Sequence, residues 1–135
     1  MSNNTDIPKA IIRNSEDVHR YVLRFYLDDI EVFESSFLIL LNRANSVIGY
    51  AKISQGGVAT TVIDNKIVLK YVVDTLASGF IVTHNHPSGN VKPSEADDQL
   101  TRRLKSAADA LDCKMLDHII ITQDSYYSYA DNGNL

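Results

Sequence analysis

"FIVTHNHPSGNVKPSEAD", residues 80–97, decides how this 135-residue chain is read. Residues 80–84 are apolar and β-rich with no polar alternation until their end, the pattern of a strand buried on both faces and therefore central in a sheet. Two of the chain's four histidines then follow, one residue apart, and a loop containing Pro87, Gly89 and Pro93 leads to Ser94 and Asp97. In extended chain, residues i and i+2 share a side and lie about 6.6 Å apart. His84 and His86 can therefore aim both rings at one point, a span that suits two bonds of about 2.0 Å to a shared metal. The strand ends there, and α/β sheets bind ligands at the carboxyl ends of their strands.

Ser94 also reads as the N-cap of a helix reaching about residue 111, with Asp97 in its first turn, where the helix dipole favours an ionised carboxylate. The same carboxylate follows His86 by eleven residues, far enough for the loop to double back and offer a third metal ligand. Taken alone, "SEAD" is a capping box. Joined to a strand, an HxH pair and a Pro-Gly loop, it is also a candidate half of a metal site. Hydrolysis at such a site needs a carboxylate that takes a proton from water and passes it to the leaving group. No HExxH supplies one locally, and Glu31 and Glu34 are the candidates that spacing leaves open.

Outward from this stretch the chain alternates helix and strand. Ser15 caps a helix over 15–27 with Val18, Tyr21, Val22 and Phe25 on one face and Glu16 and Asp17 in its first turn. Residues 33–41 and 46–53 flank "NRAN" as a β-hairpin. Gly56 and Gly57 mark a turn or bulge before a short extended piece ending near Ile63. Asp64 caps a helix over 65–77 with Ile67, Val68, Tyr71, Val72 and Leu76 as its apolar stripe, ended by Gly79. In the helix from Ser94, the core face is Leu100, Leu104, Ala107, Ala108 and Leu111. "MLDHIIIT" and a short piece around "YYSYA" supply the last strands. This order predicts an α/β domain over 15–135 with helices layered on a mixed sheet, after a leader over 1–14 that has little to bury.

Composition narrows the function. A hydrophobic fraction of 44% supports one continuous core, and a net charge of -4 argues against non-specific nucleic-acid binding. The basic cluster Arg102, Arg103 and Lys105 reads as the solvated face of a helix. Cys113 is the only cysteine, so no intramolecular disulfide or thiolate cage can form, and its setting is that of a buried small apolar residue. There is no signal-peptide core and no apolar run of about 18 residues, so a soluble cytoplasmic protein with no membrane contact is expected.

With Glu34, "HNHP", Ser94 and Asp97 in view, the chain resembles the JAMM (MPN+) metal-dependent hydrolase superfamily, and specifically its RadC-type JAB domain. The superfamily pattern is an upstream Glu, then His-x-His-Pro, six residues, Ser, two residues and Asp. Here it reads Glu34, His84, Asn85, His86, Pro87, "SGNVKP", Ser94, "EA" and Asp97. "LLNRANSVIG" and "LDHIII" extend the resemblance over roughly residues 15–135. It also selects Glu34 over Glu31, because the family places this Glu eight positions before the polar residue ending an "LxLD"-like segment, here Asn42.

The resemblance implies a three-layer α/β fold of cytidine deaminase-like (JAB/MPN) architecture. It further implies Zn2+ held by His84, His86, Asp97 and water, with Glu34 as general acid and base and Ser94 steadying the oxyanion. By the same resemblance the reaction is amide hydrolysis, by a metallopeptidase or isopeptidase acting on a peptide or protein substrate. Two departures stand out. RadC relatives usually carry a helical hairpin module linked to DNA contact ahead of this domain, for which this chain has room only for a short helix, so nucleic-acid binding is not expected of the domain. The family often has an aromatic residue where this chain has Ser36.

The alternative from another class is a non-catalytic MPN-fold interaction module in a DNA-repair-associated setting. A nucleobase deaminase is excluded, because it needs Pro-Cys-x-x-Cys. A two-His-one-carboxylate Fe(II) site shares the ligand types but not the resemblance. His118 reads as a core histidine or one supporting the ligands, and His19 as a surface residue. Asn85 points away from the ligands, where its amide can brace the loop.

Overall fold

The computed structural model describes residues 10–26, 28–56 and 63–135. The expectations for residues 1–9, for the last residue of the first helix and for residues 57–62 lie outside them. Along the chain run α1 (Ser15–Tyr26), β1 (Ser35–Leu41), β2 (Val47–Gln55), α2 (Asn65–Thr75), β3 (Gly79–Asn85), α3 (Glu95–Ala110), β4 (Lys114–Ile121) and β5 (Tyr126–Ser128). The strands form one sheet in the order β2-β1-β3-β4-β5. β3 is central, as its unbroken apolar run requires, and every residue of it is buried.

β1 lies antiparallel to both β2 and β3, β3 parallel to β4, and β4 antiparallel to β5. A parallel pair needs a crossover, and α3 provides it between β3 and β4. Alternation along the strands gives the sheet two apolar faces. On one, Leu38, Leu40, Phe80, Val82 and Met115 pack against Val68 and Val72 of α2 and Leu104 and Ala108 of α3. On the other, Phe37, Ile39, Leu41, Ile81, Ile119 and Ile121 pack against Val18, Tyr21, Val22 and Tyr26 of α1. The result is the expected three-layer α/β arrangement. Each fully buried aliphatic or aromatic side chain contributes about 1.5–3 kcal/mol relative to exposure, so these two faces dominate the stability.

Helical periodicity overreached at both helix ends. Leu76 is not part of the α2 stripe, because the chain leaves the helix there through a left-handed C-cap at φ 54°, which turns its side chain to solvent at 85% exposure. Ile67 is also largely exposed, and Leu111, beyond the end of α3, caps that helix rather than joining its core face. Gly79 does not end α2. It begins β3, where a Cβ would come within 3.1 Å of the Leu116 side chain and 3.2 Å of the Lys114 carbonyl, so a side chain there would require these neighbours to give by a few tenths of an ångström. Cys113 is buried among apolar side chains as expected. Arg102 and Arg103 are solvent-exposed, and Lys105 pairs with Asp109 on the same helix at 3.6 Å.

Candidate metal centre

Antiparallel pairing explains how residues fifty positions apart meet. The start of β1 lies beside the end of β3, with Ser36 directly opposite His84. Glu34, the residue before β1, is thereby delivered to the histidines, and its carbonyl accepts from Gly56 N at 2.8 Å. Glu34, His84 and His86 each bring one ligand atom within 4.8 Å of the others, the one such group among the described residues. Glu31 lines a cavity together with His86, Pro87, Ser88 and Asp124, but the glutamate whose carboxylate stands with both imidazoles is Glu34.

α3 delivers Asp97. The capping box forms as its sequence predicts: Ser94 Oγ accepts from Asp97 N at 3.0 Å and Asp97 Oδ2 accepts from Ser94 N at 2.9 Å. The same carboxylate faces the histidines, with Oδ1 3.3 Å from His84 Nε2 and Oδ2 3.4 Å from His86 Nε2. Cap and site are one carboxylate. The two Nε2 atoms are 3.1 Å apart. Ser94 is exposed and reaches this cluster through Asp97.

These spacings decide what the cluster can hold. Ligands on bonds of about 2.0–2.1 Å to a tetrahedral ion are separated by about 3.3 Å. The closest approaches among His84, His86 and Asp97, 3.1–3.4 Å, are near that edge, with a different Asp97 oxygen facing each ring. Glu34 Oε1, at 4.0 Å from His84 Nε2, stands farther off. The donor chemistry agrees: His86 Nδ1 lies 2.7 Å from the Asn90 carbonyl, which only accepts, so in neutral His86 the proton is on Nδ1 and Nε2 presents its lone pair. Nitrogen lone pairs and a carboxylate facing one point call for a positive charge there, and the residues present fit a zinc ion.

The acidities report the same attraction. Burial raises Asp97, but the His84 and His86 rings, which donate to it from Nε2 when protonated, outweigh burial and hold the carboxyl well below the usual range. The Asp97 carboxylate in turn pulls the His86 imidazole upward from its ordinary value. His118 is fully buried and pushed far down, chiefly by burial, so its ring is neutral. It touches His84 on the side away from the cluster, Nε2 to Nδ1 at 2.8 Å, rather than joining the ligand atoms.

Asn85 points to the opposite face from the histidines, and the loop it braces is the one that carries Glu34. Its amide donates to the carbonyls of Ile30 at 2.6 Å and Phe33 at 2.8 Å and accepts from Ser35 N at 2.7 Å. Asn85→Ala leaves these buried backbone groups unpaired at about 1–3 kcal/mol each. We expect a fall of at least about 3 kcal/mol in unfolding free energy by urea titration, and a fall below about 1 kcal/mol would contradict the brace.

His19 is not simply a surface residue: its Nε2 donates to the Thr122 carbonyl at 3.0 Å and its ring lies against Tyr126. Ser36 is fully buried beside His84, and its hydroxyl has no partner among the described residues. Sequence reading passed over Thr101, buried in α3 one turn after Asp97 and in contact with His118 at 2.6 Å. The one signal for it is its i+4 spacing from Asp97. No helix among the described residues is long and apolar enough to cross a membrane.

Comparison with known proteins supplies the family. A UPF0758 protein of Flavobacterium johnsoniae is 46% identical over 100 residues, 74% of this chain and 44% of that protein. One from Porphyromonas gingivalis is 40% identical over 92% of this chain and 54% of its own length, and one from Neisseria meningitidis 36% identical over 95% and 56%. The chain thus spans about half the length of these curated relatives. The model of the RadC-like JAB domain matches residues 12–134, which takes in Glu34, both histidines, Ser94 and Asp97. On that match and those identities, the chain belongs to the RadC-like JAB domain family.

Proposed function

We propose that this domain is a zinc-dependent hydrolase of the JAMM type that cleaves an amide bond in a peptide or protein. The observation that carries the reading is the convergence of His84 Nε2, His86 Nε2 and the Asp97 carboxylate, 3.1–3.4 Å apart with one carboxylate oxygen facing each ring and Glu34 Oε1 at 4.0 Å. His84, His86 and Asp97 would hold the ion. When bound, zinc lowers the pKa of a coordinated water towards about 7 and polarises the scissile carbonyl.

The chain's own groups do the rest. Glu34, only slightly exposed, takes the proton of the attacking water and delivers it to the amide nitrogen as the C–N bond breaks. Ser94 presents its hydroxyl towards the developing oxyanion. Its lone pairs already serve Asp97 N, which leaves its own proton free to donate. A cavity of about 250 Å³ borders His86 and gives a substrate chain room beside the cluster. A non-catalytic module would account for the capping box, but not for two buried or half-buried imidazoles and two carboxylates turned towards one another.

The test is cleavage of a complex peptide mixture by the zinc-loaded protein, read as new N-termini by mass spectrometry. The expected result is a set of new termini that disappears with a chelator and returns with zinc. No chelator-sensitive terminus would count against hydrolysis.

A further inference from the structure

A chain of four hydrogen-bonded groups runs from the backbone of α3 to the back of His84. Thr101 Oγ1 lies 2.7 Å from the Asp97 carbonyl, the bond a helical threonine makes to the residue one turn earlier. The same oxygen lies 2.6 Å from His118 Nδ1, and His118 Nε2 lies 2.8 Å from His84 Nδ1. Thr101, His118 and His84 are all buried, so none can turn to water for a partner. The His118 ring is further held by stacking on Tyr129, with centroids 4.9 Å apart and planes 10° apart.

Donor and acceptor capacities give this chain one direction. A carbonyl only accepts, so the Thr101 hydroxyl spends its single proton on Asp97 O. His118 Nδ1 must then donate to Thr101. A neutral imidazole has one N–H, so His118 Nε2 accepts, and His84 Nδ1 must be the donor. That leaves the lone pair of His84 on Nε2, the atom 3.1 Å from His86 Nε2 and 3.3 Å from Asp97 Oδ1.

We propose that Thr101 and His118 are positioning residues that lock His84 in the Nδ1–H tautomer, keeping Nε2 ready for the metal. Resting on the metal reading above, the proposal makes Asp97 act twice. Its carboxylate faces the metal point, and its carbonyl anchors the relay that orients His84. Without the Thr101 hydroxyl, His118 Nδ1–H loses its acceptor, and the ring pair is free to reverse so that His84 carries its proton on Nε2. Partners of this kind are worth about 10–100-fold in metal affinity.

The experiment is two-bond 1H–15N correlation of the histidine rings in metal-free protein well above pH 7, together with zinc affinity by competition with a chromophoric chelator. In the wild type, His84 is expected as the Nδ1–H tautomer. Thr101→Val is expected to shift it towards Nε2–H and weaken zinc about 10–100-fold. Thr101→Ser, which keeps the hydroxyl, is expected to keep both at wild-type levels. His84 found as Nε2–H in the wild type overturns the proposal, and this reading needs no variant to fold. A folded Thr101→Val protein with wild-type tautomer or wild-type zinc affinity overturns it as well. Absence of zinc binding in the wild type would sink the metal reading, while the tautomer spectrum still judges the relay separately.

Discussion

Glu34→Gln is expected to lower hydrolysis about 10²–10⁴-fold while leaving zinc content at the wild-type level, the range that a positioned general acid and base contributes. The substitution keeps side-chain shape and hydrogen-bonding capacity but removes the basic oxygen. It separates two roles that a carboxylate near a metal can play. With Asp97 oxygens at 3.3 and 3.4 Å from the imidazole nitrogens and Glu34 Oε1 at 4.0 Å, the nearer carboxylate is the proposed ligand and the farther one the proposed proton carrier. Turnover of a cleaved peptide and zinc measured on the same preparations decide it. Loss of zinc from the variant would make Glu34 a ligand, and unchanged turnover would remove it from the chemistry.

His84→Ala has the larger effect on the protein itself. It removes one of the three proposed ligands, opens a cavity at a buried position and leaves His118 Nε2 without its partner. Zinc affinity is expected to fall by more than the roughly 100-fold that supporting residues alone can cost. Because a ligand that binds only the folded state stabilises it by about 2.7 kcal/mol at a hundred times its Kd, excess zinc should raise the melting temperature of the wild type. It should leave that of His84→Ala unmoved. An equal zinc-dependent shift in both proteins would take His84 out of the centre.

Much of this site was legible in the chain, and the reasons are physical. The apolar run of residues 80–84 placed β3 at the centre of the sheet, because only a strand covered on both faces tolerates it. The i, i+2 spacing of His84 and His86 placed both rings on one side, and the N3 position of Asp97 placed its carboxylate in the first turn of α3. Glu34 was different: local spacing left it level with Glu31, and the resemblance chose it. The β1–β3 register explains that choice, since it sets Ser36 against His84.

What was missed depends on contacts distant in sequence. Asn85 turns away and braces a loop as expected, but the loop it holds lies more than fifty positions upstream, at the Ile30 and Phe33 carbonyls, and Thr101 meets His118 from another element. No local pattern announces either pairing. Leu76 and Leu111 failed for the opposite reason. Their spacing continues a helical stripe, but the backbone turns out of the helix before they can join it.

The most direct measurement is a crystal structure of the zinc-loaded protein with anomalous data collected at the zinc edge. One anomalous peak is predicted, shared by His84 Nε2, His86 Nε2 and the Asp97 carboxylate, with Glu34 beside it and outside bonding distance. A peak elsewhere, or one bonded to Glu34 while Asp97 serves only as the cap of α3, would contradict this centre.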